Sequence, residues 1–168
     1  MRTFLLLLTA CVLPSCVGYR VGNVKPHALE SVKTIAVPMT ANDTQHPRAE
    51  VLATSALTGA FAQDGTYRVG SVGNSDAVLE TRLRSIRYSA IRSQRLDSLR
   101  PEELSTVVTI DWVLKDARDP SKVLARGSNT GNSQLFVDAD LQTARNNALP
   151  DALERAGTAI VSRLANGF

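Results

Sequence analysis

Cysteine is almost missing from these 168 residues: there are two, Cys11 and Cys16, both near the start. Nothing downstream can build a disulfide framework or supply thiolates to a zinc site. Histidine is as scarce. His27 and His46 sit in polar, loop-like sequence, and neither is spaced from a cysteine or carboxylate as a metal site requires, so both read as surface residues. No Gly-x-Ser-x-Gly elbow occurs, and Gly70 and Gly73 bracket a turn without the spacing of a phosphate-binding loop. The sequence therefore offers no catalytic constellation, no metal ligands and no cofactor motif. It also has little net charge. The formal value is +3, and without Arg2, the one charged residue of the first fifteen, it is +2. After residue 16 no apolar run approaches the length of a membrane-spanning helix.

The one long apolar run lies at the start. Arg2 is followed by Phe4-Leu5-Leu6-Leu7-Leu8-Thr9-Ala10-Cys11-Val12-Leu13, which breaks at Pro14-Ser15-Cys16. A basic residue, a short apolar stretch and a small residue before the break have the pattern of a secretory signal peptide, too short to cross a bilayer as a stable helix. Leu13 three positions and Ser15 one position before Cys16 resemble a bacterial lipobox. That resemblance implies cleavage in front of Cys16 and acylation of its thiol and new amino terminus. Leu8-Thr9-Ala10-Cys11 is a competing box, but cutting there leaves an apolar core of only Phe4 to Ala10. Cys16 is the preferred site. Multiple acyl chains on it would give stable membrane residence, and export makes a nucleic-acid partner improbable. The expected organisation is a signal peptide over 1–15, a lipidated terminus and tether over 16–31, and one domain over 32–168.

Within the domain, Val32-Lys33-Thr34-Ile35-Ala36-Val37-Pro38 alternates as a strand and ends at proline. Met39 to His46 reads as a loop. Pro47 suits the first position of a helix, with Glu50 in its first turn; Ala49, Leu52, Ala53, Ala56, Leu57, Ala60 and Phe61 repeat at helical spacing up to Asp64-Gly65. A short strand follows over Thr66 to Val72. From Asp76 to about Arg92 the alternation is long, and its parity changes at Ile86 and Tyr88, which predicts a bulge near Ser85. A polar hairpin loop is expected over Ser93 to Pro101. Thr106 to Leu114 and Lys122 to Val137 complete an antiparallel meander, with Trp112 on the apolar side. Leu141, Ala144, Ala148, Leu149, Ala152, Leu153, Ala156, Ile160, Val161 and Leu164 define a final amphipathic helix that Pro150 either kinks or restarts. The architecture is an α+β sandwich with both helices on one face of the sheet.

Read in order, Cys16-Val17-Gly18-Tyr19-Arg20, Lys33-Thr34-Ile35-Ala36-Val37-Pro38, Asn42-Asp43-Thr44, Gln63-Asp64-Gly65-Thr66-Tyr67-Arg68-Val69, Asp76-Ala77-Val78-Leu79-Glu80 and the final helix resemble the LptE family of LPS-assembly lipoproteins. Val17, inserted between the cysteine and the usual glycine and aromatic, marks a divergent member. The resemblance implies two helices on one face of a roughly four-stranded mixed or antiparallel sheet, and no enzymatic activity. It implies an outer-membrane lipoprotein, anchored on the periplasmic side, that plugs and assembles with an LptD-like β-barrel delivering lipopolysaccharide. No family motif maps lipopolysaccharide contacts onto individual residues here. The residues themselves offer Arg82, Arg84, Arg87, Arg92, Arg95 and Arg100, set against only Glu80 and Asp97 in the same stretch. Guanidinium forks could meet lipid A phosphates or an acidic barrel lumen, or simply form a charged strand face that resists aggregation. An alternative role is a lipid-anchored activator of a cell-wall synthase. The ten to fifteen residues between Cys16 and the first strand are short for reaching an inner-membrane enzyme, which favours a partner at the same membrane.

Overall fold

In a computed structural model of the chain, residues 25–93, 101–136 and 141–167 are described. Cys16, the start of the tether, Arg95, Arg100 and most of the expected hairpin loop lie outside them. In chain order the elements are β1 (Thr34–Ala36), β2 (Ala41–Asn42), α1 (Ala49–Asp64), β3 (Arg68–Gly70), β4 (Ala77–Ser93), β5 (Pro101–Asp116), β6 (Val123–Phe136) and α2 (Leu141–Asn166), with single 3₁₀ turns at His27–Leu29 and Val72–Asn74.

Among the described residues the sheet has six strands, not four. Its order is β3-β1-β4-β5-β6, and β2 pairs with β4 further along. Strand β1 is parallel to both β3 and β4, β2 is parallel to β4, and β4-β5-β6 form the expected antiparallel meander, so the sheet is mixed. The extra strand lies in the segment read as a loop. Pro38 has no N–H to give a ladder, and β1 stops at Ala36. Thr40 then turns inward and is buried, its hydroxyl 2.8 Å from that of Thr81 and its N–H donating to Thr54 Oγ1 at 3.0 Å. Beyond that pin the chain rejoins β4 as β2.

The parity change in β4 is real and falls at Arg84, where the register slips between Leu83 and Ser85. Before the slip Ala77, Leu79, Thr81 and Leu83 are buried; after it Ile86 packs against the core and Tyr88 is half-buried. One extra residue on one strand lets both apolar series stay on the same side. On β5 the even residues from Leu104 to Leu114 are buried without interruption.

Helix α1 begins at Ala49, two residues later than Pro47 suggests. Arg48 stands at φ 62°, a left-handed conformation that cannot continue a helix backwards. Asn42 Nδ2 donates to His46 O at 3.0 Å and to Glu50 Oε2 at 2.9 Å, tying the preceding turn to the helix. Gly65, at φ 73°, ends the helix with its N–H on Phe61 O. Ala49, Ala53, Leu57, Ala60 and Phe61 are buried as expected, whereas Leu52 stands 37% exposed. Helix α2 runs unbroken through Pro150, which forfeits the bond to the carbonyl of Asn146, an exposed residue.

Helix α2 lies on β5 and β6 and against α1, and the buried residues of both helices join the inward series of β4 and β5 in one core. Small residues set the spacing. A Cβ on Gly131 of β6 would stand 2.0 Å from Ala152 O and 2.5 Å from Ala156 N, and one on Gly157 would stand 3.2 Å from Ala56 O. Beside Gly131, Gly127 leaves room for the Trp112 ring, whose Nε1 donates to Asn129 Oδ1 at 2.8 Å.

The start of β4 is tied to β1 by a carboxylate. Asp76 Oδ2 accepts from Lys33 N, Thr34 N and Thr34 Oγ1, each at 2.9 Å. These donors, led by the Lys33 N–H, hold its pKa below the usual carboxylate range. A depressed folded pKa contributes stability above the unfolded value of about 3.9, and that contribution disappears as pH falls through the folded value. Asp76→Asn should therefore lower the melting temperature at neutral pH and shrink the difference from wild type in acid. Thermal unfolding followed from about pH 2 to 7 checks this.

Candidate outward face of the sheet

The side of β4 turned away from the core carries the arginines. Glu80, Arg82 and Arg84 are exposed before and at the slip, and Arg87 is exposed after it. The bulge that keeps the apolar residues inside thus keeps the arginines outside. Arg92 lies in β4 and pairs with Glu103 through the ladder. The structure brings Arg82, Arg84 and Arg87 onto one strand.

Sequence counting missed their counter-charges, which come from elsewhere in the chain. Arg82 meets Asp43 of the loop after β2 at 2.7 Å, Arg84 Nε meets Asp111 of β5 at 2.7 Å, and Glu80 meets Lys115 of β5 at 2.6 Å. All six side chains retain exposed surface. Pairs of this kind contribute only about 0–1 kcal/mol in water, so a stronger anion can exchange for the carboxylate. Arg87 pairs with no carboxylate among the described residues. The signal for Asp111 was its outward parity on β5, opposite Arg82 in the register. Asp43 gave no signal, because its position depends on β2.

Between the ends of β1 and β2 the interrupted edge leaves an open hollow of about 530 Å³, lined by Pro38, Met39, Val113, Arg82, Arg84 and Asp111. Met39 is 62% exposed, thrust outward because the next residue, Thr40, is pinned inward. The hollow combines an apolar wall with two guanidinium groups and two carboxylates, Glu80 and the Asp111 paired with Arg84. That combination suits an amphiphile with an anionic group next to a hydrocarbon portion. Among the described residues no helix is long and apolar enough to cross a membrane.

Solved structures share the fold. The hypothetical protein CT253 from Chlamydia trachomatis aligns with a TM-score of 0.57 at 9% identity, covering 80% of this chain and 96% of that one. Protein XCC0632 from Xanthomonas campestris aligns at 0.55 and 16% identity, covering 88% and 92%. The uncharacterized lipoprotein B from Nitrosomonas europaea gives 0.51 and 18%, covering 88% and 90%. At these identities the likeness concerns the fold alone. No curated protein matches the chain. A family model does: LptE, lipopolysaccharide-assembly, over residues 32–164.

Proposed function

From the premise that this chain belongs to the LptE lipopolysaccharide-assembly family, we propose that it is an outer-membrane lipoprotein, anchored through Cys16 on the periplasmic side, that assembles with and plugs the barrel delivering lipopolysaccharide to the surface. It acts by binding rather than by catalysis. The observation that carries the reading is the outward face of β4 and β5. The core and both helices lie toward the other side, so Arg82 and Arg84, each paired with an exposed carboxylate, Arg87 and the hollow at Met39 are accessible to a partner. On this reading the arginines meet lipid A phosphates or acidic groups of the lumen, and Met39 and Val113 lie along acyl chains. In the sequence Arg92, Arg95 and Arg100 continue the same run of arginines.

Gentle solubilisation of the native outer membrane, followed by capture of a tagged copy, should recover a large β-barrel protein in near-equal amount. Recovery of a cell-wall synthase, or of no stoichiometric partner, would sink the proposal. Cys16→Ser should abolish palmitate labelling and release the protein into the soluble periplasmic fraction. Persistent labelling would assign the anchor to Cys11. Reversing Arg82, Arg84 and Arg87 together to glutamate should weaken retention of lipopolysaccharide by the complex where they meet lipid A phosphates, and recovery of the barrel partner where they meet acidic groups of the lumen.

A further inference from the structure

Helix α2 rests on two kinds of ground. Over residues 149–165 its buried apolar side chains belong to the contiguous core. Three close contacts fix that stretch: Ala152 and Ala156 fill the seat at Gly131, Gly157 meets the backbone of α1 at Ala56, and the Leu164 carbonyl accepts from the Tyr67 hydroxyl at 2.8 Å. Nearer the start of the helix, Ala144 and Ala148 are buried but stand outside that cluster. The strip of sheet on that side is polar. Tyr88, Thr106 and Ser133 are ladder partners in one row across β4, β5 and β6. Ser133 lies two residues beyond Gly131 toward the start of α2, and Arg145 of α2 stands over the Tyr88 ring at 5.3 Å. Thr106 is 0% and Ser133 1% exposed. Yet Tyr88 Oη, Thr106 Oγ1, Ser133 Oγ and Arg145 Nε, all buried atoms, have no hydrogen-bond partner among the described residues. The Ser133 hydroxyl helps to hold the Asp151 carboxyl below the usual range without reaching bonding distance. Among the described residues no other buried side-chain nitrogen or oxygen is left in this state, so all of them gather at one contact.

We propose that residues 141–148 form a lid that swings away from the sheet about Pro150 while residues 152–166 stay seated. Three observations coincide at one point of the helix. The contiguous core takes up α2 at Leu149. The backbone bond from position 150 to the Asn146 carbonyl is missing, and proline is where helices bend. The unpartnered row and the guanidinium above it lie on the lid side of that point. A buried donor or acceptor without a partner weighs against the closed packing, and hydration offsets that loss once the contact opens. The apolar surface that the lid itself must give up is chiefly the methyl groups of Ala144 and Ala148. Segments with few apolar contacts of this kind open locally while the rest of a domain stays folded. The open form releases the Tyr88, Thr106 and Ser133 hydroxyls to solvent on the side of the sheet opposite the exposed arginines. This inference is independent of the barrel-plug reading.

A thiol placed in the strip reports the opening. Ser133→Cys and Thr106→Cys change the size of a buried side chain little, and Val108→Cys puts the same group one row nearer the seat, opposite Gly131. The full chain in detergent is alkylated with N-ethylmaleimide, and the labelled position is located by peptide mass mapping. Labelling should be about tenfold faster at positions 133 and 106 than at 108, where only global unfolding exposes the thiol. Adding Pro150→Ala to Ser133→Cys returns an N–H to the Asn146 carbonyl and should slow labelling about fivefold. Adding Thr106→Val instead removes an unpartnered hydroxyl from the closed packing and should slow it by about as much. Circular dichroism checks that each variant keeps the fold, and two reporter positions cover the loss of one. Equal rates at all three positions, or a rate at 133 that neither added substitution changes, overturns the proposal.

Discussion

Gly131→Ala is expected to destabilise the domain by about 3 kcal/mol, the upper part of the range for overpacked sites. The added methyl would meet the Ala152 carbonyl at 2.0 Å, the Ala156 nitrogen at 2.5 Å and the Ala156 methyl at 2.9 Å. Two of the three are backbone atoms of α2 and cannot rotate away, so the helix must rise from β6 along its length. Gly127→Ala is the matched control. There the nearest atom is Trp112 Cζ2 at 2.7 Å, in a side chain held by a single hydrogen bond to Asn129. The contact is with a buried side chain rather than with backbone, and a smaller cost of about 1–2 kcal/mol is expected. Urea unfolding of the two variants should separate them clearly. Equal midpoints would mean that α2 is free to slide.

The second large effect is expected at Tyr67. Its ring is buried, meets Phe61 edge-on at 6.3 Å, and lies under Lys25 Nζ at 4.4 Å. Its hydroxyl donates to Leu164 O at 2.8 Å, satisfying a carbonyl in the last turn of α2 that has no partner within the helix. Truncation to alanine should cost about 4 kcal/mol. Tyr67→Phe should cost about 1–2 kcal/mol, since it leaves that carbonyl with one partner fewer. A second readout comes from pH. Burial, with a smaller contribution from Asp64, pushes the phenol up to about 12. An acid whose folded pKa is raised binds its proton more tightly when folded, so its contribution is complete below the unfolded value of about 10 and is lost between about pH 10 and 12. The loss amounts to about 2–3 kcal/mol. Burial also raises Tyr88, which adds to the same alkaline limb. Tyr67→Phe should flatten most of that limb, and an unchanged alkaline profile would count against this account.

What could be read from the sequence was whatever depends on near neighbours. The slip at Arg84 was legible because a period of two allows one geometric answer when Ile86 and Tyr88 change parity. The buried stripe of α2 was legible because its apolar spacing persists across Pro150, and the packing of Ala152 and Ala156 on β6 outweighs one lost backbone bond. What could not be read depends on distant partners. Strand β2 is two residues long, so it has no period, and it exists through pairing with β4. The left-handed Arg48 is invisible to a rule that sees only a proline followed by helix formers. The pairing of Arg82 and Arg84 with Asp43 and Asp111 joins residues 39 and 27 positions apart, so a charge count over one stretch leaves the arginines looking free. Within the Gln63 to Val69 phrase, Tyr67 now has a physical reason: its hydroxyl holds the far end of a helix 97 residues away.

The alanine- and glycine-lined seat of α2 bears on size as well as on stability. Because Gly131 admits the backbone of α2 and Gly157 admits that of α1, the helices sit nearer to the sheet and to each other than larger side chains would allow. That seating thins the two-layer stack at the contact. A slim insert lowers the circumference of any ring of strands that encloses it, and with that the number of strands the ring needs in order to close.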